Sequence, residues 1–184
     1  MKKWGIAWPK STVAIKRIKK EQIAWTVVAR LKCYLCGGFK RKLPCPPFNK
    51  SVKFYKDKFE KAKKIYVIVE ETDGTVPWRK GIPKEKLEKK VNKGLKGVAK
   101  EMPLELHKKM LKLKRRKKCQ IFISGSCSLC RPCNIEGKKC LKGGFAHSPE
   151  GSGVDVINTI RNIGLKIDDV PYNSVVNVGM ALFT

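Results

Sequence analysis

The chain has 184 residues, enough for a substantial apolar core, and we expect a single domain over residues 1–184. Its 42 Lys and Arg against 15 Asp and Glu give a formal net charge of +27, which predicts attraction to acidic proteins or nucleic acid. The 42% apolar content argues against a disordered chain, and no segment approaches the roughly 20 apolar residues of a membrane helix.

The first third of the chain predicts two strands, a loop and a helix. Pro9, Lys10 and Lys16 interrupt any apolar run near the start, so we expect no signal peptide and a cytoplasmic protein with reduced thiols. STVAIKRI is expected to form the first strand, and the β-branched QIAWTVVARLKC a second strand. CYLCGGFKRKLPCPPF, with Gly-Gly and three prolines, is expected to be a loop. Ser51 caps a predicted helix whose apolar face carries Val52, Tyr55, Phe59 and Ala62.

The middle of the chain predicts a buried strand and two basic helices. KIYVIVEE is nearly all apolar and is expected to be a central strand buried on both faces. One helix is predicted from Lys84, with an apolar stripe of Leu87, Val91, Leu95 and Val98. A second is predicted from Pro103; it exposes KLKRRKK and buries Leu106, Met110 and Leu113.

The last third predicts a strand, a cysteine-rich loop, a helix and a final strand. QIFIS should lead directly into the loop, and SVVNVGMALF should form the last strand. The helix is predicted from Gly153 to Ile163, with Ser152 as its cap and with Val154, Ile157 and Ile160 facing inward. This order predicts an α/β or α+β fold with a central mixed sheet, flanking helices and two cysteine-bearing metal loops.

Seven of the eight cysteines fall into two groups. The first cysteine loop (residues 33–45) has the spacing C-x2-C-x8-C and comprises Cys33, Cys36 and Cys45. The second cysteine loop (residues 127–140) has the spacing C-x2-C-x2-C-x6-C and comprises Cys127, Cys130, Cys133 and Cys140. In a cytoplasmic protein such a density favours metal ligation over disulfides.

The second loop matches the C-x2-C-x2-C run of bacterial ferredoxins, in which three cysteines hold one [4Fe-4S] cluster. Cys140 can complete that cluster, since Gly137 permits the chain to turn back. The first loop supplies three sulfurs for a second cluster. Cys119 is the candidate for the fourth ligand of this second cluster; alternatively, it is a structural thiol. If only the three cysteines of the first loop bind this cluster, one of its irons keeps an open position for substrate. Zinc is the alternative metal for both loops.

The function predicted is that of an iron–sulfur protein with one or two [4Fe-4S] clusters. It would transfer electrons, or handle sulfur or metal, together with an acidic protein partner such as an oxidoreductase. One alternative is a metal-stapled RNA-binding module, in which Trp4, Trp8 and Trp25 stack on bases and phosphates are contacted by Lys108, Lys109, Lys112, Lys114, Arg115, Arg116, Lys117 and Lys118. The other is a zinc-stabilised structural protein.

LKCYLCGGFKRKLPCPPF, together with GSCSLCRPCNIEGKKC and the later HSPEGSGVDVINTIRNIGL, resembles an uncharacterised family of predicted metal-binding proteins. The resemblance runs from about Thr12 to the C-terminus and implies metal ligation by the seven grouped cysteines. The family has C-R-H-P after its last cysteine, whereas here LKGGFA intervenes and Ser148 separates His147 from Pro149. We expect His147 on a surface loop, with metal ligation through an imidazole nitrogen, or tuning of a cluster, as the alternative. Glu150 and Asp155 are expected to be charges at a helix N-terminus.

Overall fold

The computed structural model describes residues 11–36, 38–73, 106–125, 127, 129–130, 132–142, 144–165 and 174–184. In these ranges the strands are β1 (Ser11–Ile18), β2 (Lys64–Asp73), β3 (Cys119–Ile123) and β4 (Ser174–Phe183). The α-helices are α1 (Val27–Leu31), α2 (Val52–Glu60), α3 (106–116) and α4 (Val156–Asn162). None of them is both long enough and apolar enough to cross a membrane.

The strands form one sheet in the order β1-β2-β4-β3, and each neighbouring pair is antiparallel. The fold is therefore α+β, as one of the two predicted classes states. The prediction of a mixed sheet is wrong, because all three strand pairs are antiparallel. Among the described residues, parallel pairing is limited to one isolated bridge between Phe122 and His147. Non-local antiparallel pairs such as β2 with β4 leave no periodic signal that reveals strand direction in the sequence.

The sheet buries apolar side chains on both faces, as predicted for β2. Val67 and Val69 pack in one cluster with Tyr55 and Phe59 of α2, whereas Ile68 packs in a second cluster that includes the buried residues of α3. Each such side chain contributes about 1.5–3 kcal/mol when it is fully removed from water. The apolar core therefore consists of two layers, one on each side of the sheet.

Several predicted elements are confirmed. The Ser51 hydroxyl accepts a hydrogen bond from the Phe54 amide at 3.2 Å and caps α2, whose inner face is buried as the spacing indicates. β1, β3 and β4 match the predicted strands closely. In α3, Leu106 and Met110 are buried and Leu113 is partly buried. The helix predicted from Lys84 and the start at Pro103 lie outside the described residues.

Two local predictions are wrong. QIAWTVVARLKC does not form a strand: Thr26 caps α1 by accepting from the Val28 amide at 3.2 Å, and a 3-10 turn, Lys32–Leu35, follows. Its β-branched residues favour a strand locally, but the Thr26 cap and tertiary packing stabilise a helix there instead. The last helix begins after Asp155 rather than Ser152, and its Ile157 is 41% exposed.

Candidate metal centre

Arg30 of α1 anchors the segment that follows the first cysteine loop, at Asn49 and Lys50. Its guanidinium donates to the carbonyls of Lys50 at 2.8 Å and Gly151 at 3.0 Å, and to Asn49 Oδ1 at 3.2 Å. Asn49 Nδ2 in turn donates to the Gly151 carbonyl at 2.7 Å. This network ties α1 and the loop to the turn at residues 148–153. The planar, multiple donors of arginine suit such a junction better than a lysine would.

The three sulfurs of the first cysteine loop share one cavity. A space of about 210 Å³ is lined by Cys33, Cys36 and Cys45, and on its other side by Gly125, Ser148 and Glu150. Cys33 and Cys45 are buried, whereas Cys36 is exposed. The structure thus brings together the sulfurs that the sequence grouped, and it places the start of the second cysteine loop beside them.

Burial and mutual proximity perturb these thiols. Burial, with smaller contributions from the charges of Glu150 and Cys36, raises the pKa of Cys33 to about 11. Burial raises the pKa of Cys45 to about 12, with further contributions from the sulfurs of Cys36, Cys33 and Cys127. A sulfur from the second loop therefore lies within electrostatic reach of the first loop.

The second cysteine loop leaves the sheet directly after β3. Gly125 turns the chain with a φ of +77°, a conformation that residues with a Cβ rarely adopt. Cys127 follows and is 5% exposed, and burial raises its pKa to about 11. Lys42 of the first loop donates to the Cys130 carbonyl at 2.9 Å. The two cysteine loops are therefore in direct contact.

The remaining three sulfurs of the second loop lie near one another. Burial raises the pKa of Cys130. The charge of Cys133, the hydrogen bond between Cys130 and Cys133, and the charge of Cys140 also raise it. Cys140 Sγ donates to the Gly144 carbonyl at 3.1 Å. Between them the chain turns at Gly137, where a Cβ would lie 2.6 Å from the Asn134 side chain. A side chain at this position would have to displace the end of the Asn134 side chain, which accepts a hydrogen bond from the Gly137 amide at 3.3 Å.

Glu150 lines the cysteine cavity, whereas the sequence indicated only a charge at a helix N-terminus. It begins a 3-10 turn, Glu150–Ser152, and its carboxylate accepts from Ser148 Oγ at 2.9 Å and from the backbone of Gly125. Burial raises its pKa. Its carboxylate thus joins this turn to the start of the second cysteine loop. Asp155 lies at the N-terminus of α4, as expected for its charge, and caps that helix in place of the predicted Ser152.

His147 is not a surface-loop residue. Its Nδ1 lies 3.0 Å from the Tyr55 hydroxyl, and its ring packs against Tyr55, Phe122 and Phe145 at centroid distances of 5.3–5.4 Å. Its backbone forms the bridge to β3 that no sequence pattern indicated. His147 is not among the residues that line the cysteine cavity; it is half-buried and packs against the core ring of Phe122.

Trp25 is also packed rather than available for base stacking. Its ring meets Phe59 edge to face at 5.2 Å, and Lys56 lies 5.5 Å above it. Trp4 and Trp8, the other two expected stacking residues, lie outside the described residues. The basic run on α3 is largely exposed, as predicted for Lys112 to Lys118.

The donor set of the two loops consists of thiol sulfur, which suits soft metals and iron–sulfur clusters. Within the described part of the chain, no group of three or more His, Cys, Asp or Glu side chains is arranged to hold a single metal ion. What the described residues do form is a cavity that the three cysteines of the first loop line together.

Comparison with known proteins gives one finding. The family model described as "Predicted metal-binding protein (DUF2284)" matches residues 16–183, which is most of the chain. Neither the curated proteins nor the solved structures contain a match.

Proposed function

The chain belongs to the DUF2284 family of predicted metal-binding proteins, and we propose that its two cysteine loops bind iron–sulfur clusters, one or two of the [4Fe-4S] type. The observation that carries this proposal is the contact between the loops, in which Cys33, Cys36 and Cys45 face one cavity beside the start of the second loop. Sulfurs gathered around a space fit a cluster, whose irons lie at separate corners.

The spacing of the second loop supports iron–sulfur over zinc. Structural zinc sites usually combine two C-x2-C pairs from distant segments into one tetrahedron. Here three cysteines follow one another at intervals of three residues on one short loop. When bound, a [4Fe-4S] cluster supplies one-electron redox chemistry, or an iron that binds a sulfur, nitrogen or oxygen donor.

The residues around the loops would tune and position such a group. Lys42 places a positive charge between the two loops, and Lys138 and Lys139 lie on the second. Positive charges near a cluster raise its reduction potential. Arg30 and Glu150 hold the segments that carry the sulfurs in place. These residues position the ligands rather than react themselves.

An acidic protein partner suits the surface beside the first cysteine loop. Cys36 is exposed, and around it α1 and the following turn expose apolar side chains: Val27, Val28, Leu31, Tyr34 and Leu35. Leu35 alone is 93% exposed. An apolar patch on a chain of net charge +27 favours a partner with an acidic rim, whose association would weaken with salt. Electron transfer, or sulfur or metal delivery, to such a partner in the cytoplasm is the role proposed.

Elemental analysis of anaerobically purified protein tests the proposal. We expect iron and acid-labile sulfide in equal amounts, about four of each per cluster. A variant with Cys33, Cys36 and Cys45 replaced by alanine should lose part of both. The Cys119→Ala variant is the matched control, because Cys119 lies away from the two loops. Stoichiometric zinc without sulfide would overturn the iron–sulfur proposal and favour the structural alternative.

A further inference from the structure

The first cysteine loop supplies one thiol fewer than a [4Fe-4S] cluster has irons. Such a cluster is usually held by four protein ligands, one for each iron. The second cysteine loop carries four cysteines, whereas the first carries three. The remaining cysteine, Cys119, begins β3 and packs on the apolar cluster beneath α3. The strand from Cys119 to Ser124 spans about 16 Å at roughly 3.3 Å per residue, so Cys119 lies at the end away from Gly125, which lines the cavity of the first loop.

Glu150 lines this cavity of about 210 Å³ together with the three cysteines of the first loop. Among the described residues that line it, Glu150 is the only one with an acidic side chain. A carboxylate oxygen is an established ligand of iron in proteins, for example in sites that combine two histidines with one carboxylate. The cavity therefore contains a fourth group that can bind iron, and this group comes from a segment far from the first loop in sequence.

The charge balance of the cavity favours a bound cation. Three thiolates and one carboxylate in a partly buried space repel one another, and buried charges in proteins are paired or bind metals. Lys32 lines the same cavity but is exposed, and none of the ion pairs between described residues involves Glu150. Protonation relieves the repulsion in the absence of metal, and metal binding releases such protons. The presence of an acid beside three thiols is explained if all four bind one metal group.

The turn that carries Glu150 is held in place by several hydrogen bonds. Ser148 Oγ donates to Glu150 Oε2 at 2.9 Å and accepts from the Gly151 amide at 3.1 Å. Ser152 Oγ donates to the Ser148 carbonyl at 2.8 Å, and Arg30 donates to the Gly151 carbonyl at 3.0 Å. Ser148 itself is buried. The carboxylate is therefore oriented by fixed neighbours, as the ligands of a preorganised site are.

We propose that Glu150 is the fourth ligand of the first centre and binds one iron through a carboxylate oxygen, beside Cys33, Cys36 and Cys45. This assignment rests on the proposed function, because it presupposes a cluster in this cavity. It fills the open iron position that three cysteines alone would leave, and it keeps the four cysteines of the second loop together on the other cluster. In addition to positioning Gly125, the carboxylate thus binds the cluster itself.

Oxygen ligation gives the first centre a distinct chemistry. Thiolate is the soft ligand that iron–sulfur clusters prefer, so the iron bound by the harder carboxylate exchanges its protein ligand most readily. An incoming sulfur, nitrogen or oxygen donor takes the place of the carboxylate, which keeps its hydrogen bonds from Ser148 and Gly125 when it leaves the iron. Cys36 is exposed, so solvent reaches one side of this ligand set. Sulfur or metal handling is therefore assigned to the first centre, and electron supply to the second.

The Glu150→Gln variant tests this ligation. Glutamine has nearly the same shape and keeps an oxygen that accepts a hydrogen bond from Ser148 or Gly125, but it carries no negative charge and binds iron poorly. Oxidation of a [4Fe-4S]²⁺ cluster by ferricyanide transfers one electron to ferricyanide and releases one Fe²⁺, which leaves [3Fe-4S]⁺. We expect Glu150→Gln to lose about one iron per protein several-fold faster than the wild type, with acid-labile sulfide unchanged. The electron paramagnetic resonance signal of the [3Fe-4S] product should appear at the same rate.

Glu136→Gln is the matched control, because it makes the same substitution elsewhere. Glu136 is exposed on the second cysteine loop and is not among the residues that line the cavity. This variant removes the same charge from the protein, so it separates ligation from a general electrostatic effect. It should lose iron at the wild-type rate.

Mössbauer spectroscopy of wild-type protein supplies a second readout that needs no variant and does not depend on the fold of one. One iron of the first cluster should have a larger isomer shift than the irons with sulfur ligands only, because its carboxylate ligand is harder. Wild-type protein in which every iron has sulfur ligands only would overturn the assignment of Glu150. Equal rates of iron loss in Glu150→Gln, Glu136→Gln and the wild type would overturn it as well.

Either of these two results would leave the iron–sulfur proposal intact, because the cluster would still be present. Wild-type protein with neither iron nor sulfide would instead refute the proposed function, and the assignment of Glu150 would fall with it.

Discussion

The half-buried His147 predicts a specific loss of stability in acid. Its imidazole shares one hydrogen bond with the Tyr55 hydroxyl at 3.0 Å and packs against the rings of Phe122 and Phe145. Burial, with a smaller contribution from the charge of Lys114, lowers the pKa of His147 to about 4. The folded protein therefore resists protonation of a group that the unfolded chain protonates readily.

The sign and size follow from linkage. Because the folded-state pKa of about 4 lies below the ordinary 6.5, the unfolded state binds the proton first as the pH falls. The contribution is fully present above pH 6.5 and is lost progressively down to pH 4. One pKa unit corresponds to about 1.4 kcal/mol, so His147 accounts for a loss of up to about 3 kcal/mol. Partial solvent access of the ring makes this an upper limit.

Urea unfolding at a series of pH values between 7.5 and 4 measures this effect in wild type and His147→Phe. At pH 7.5 the variant should be less stable by about 1 kcal/mol, because it loses the bond to Tyr55. Near pH 4 it should be the more stable of the two, so the curves cross. Tyr55→Phe is the control: it removes the same hydrogen bond and keeps the acid sensitivity. Parallel curves for wild type and His147→Phe would refute the reasoning.

Two further predictions concern the segments that hold the cysteine loops. Gly153→Ala should lower the free energy of unfolding by about 2–4 kcal/mol, because its φ is +91° and its Cβ would lie 2.8 Å from Val52. Gly164 also has a positive φ, of +75°, but open space around it, so Gly164→Ala should lower the free energy of unfolding by only about 1–2 kcal/mol. Thermal unfolding compares the two variants, and an equal loss of stability in both would show that contact with Val52 is unimportant. Lys42→Met should speed metal release to a chelator several-fold, since it breaks the bond between the cysteine loops. Arg41 is the exposed neighbour of Lys42, and the control variant Arg41→Met should release metal at the wild-type rate. If Lys42→Met also released metal at the wild-type rate, Lys42 would not bridge the two loops as described.

The parts of the fold with a strong local pattern were predictable. β2 is a short apolar run, and α2 has a capping serine followed by apolar residues at helical spacing. α1 was missed because Val27 and Val28 favour strands, whereas its helix depends on the Thr26 cap and on Arg30 bonding to distant carbonyls. The antiparallel order of the sheet depends on contacts between segments far apart in sequence, which no local pattern encodes.

Of the candidate site, the sequence predicted the two groups of cysteines. Their spacing predicts them as donors, because ligands of one group recur at short intervals on a loop, and the structure brings the two loops that carry them into contact. Glu150 and Lys42 act through partners more than 20 residues away, and a lone acidic or basic residue in a loop carries no signal of its own.

The most direct test of the central claim is electron paramagnetic resonance of the protein purified without oxygen and reduced with dithionite. The account predicts a cluster signal that is absent from a variant in which the seven loop cysteines are replaced by alanine, and that is retained in Cys119→Ala. A wild-type protein that gives no such signal and contains neither iron nor sulfide would contradict it.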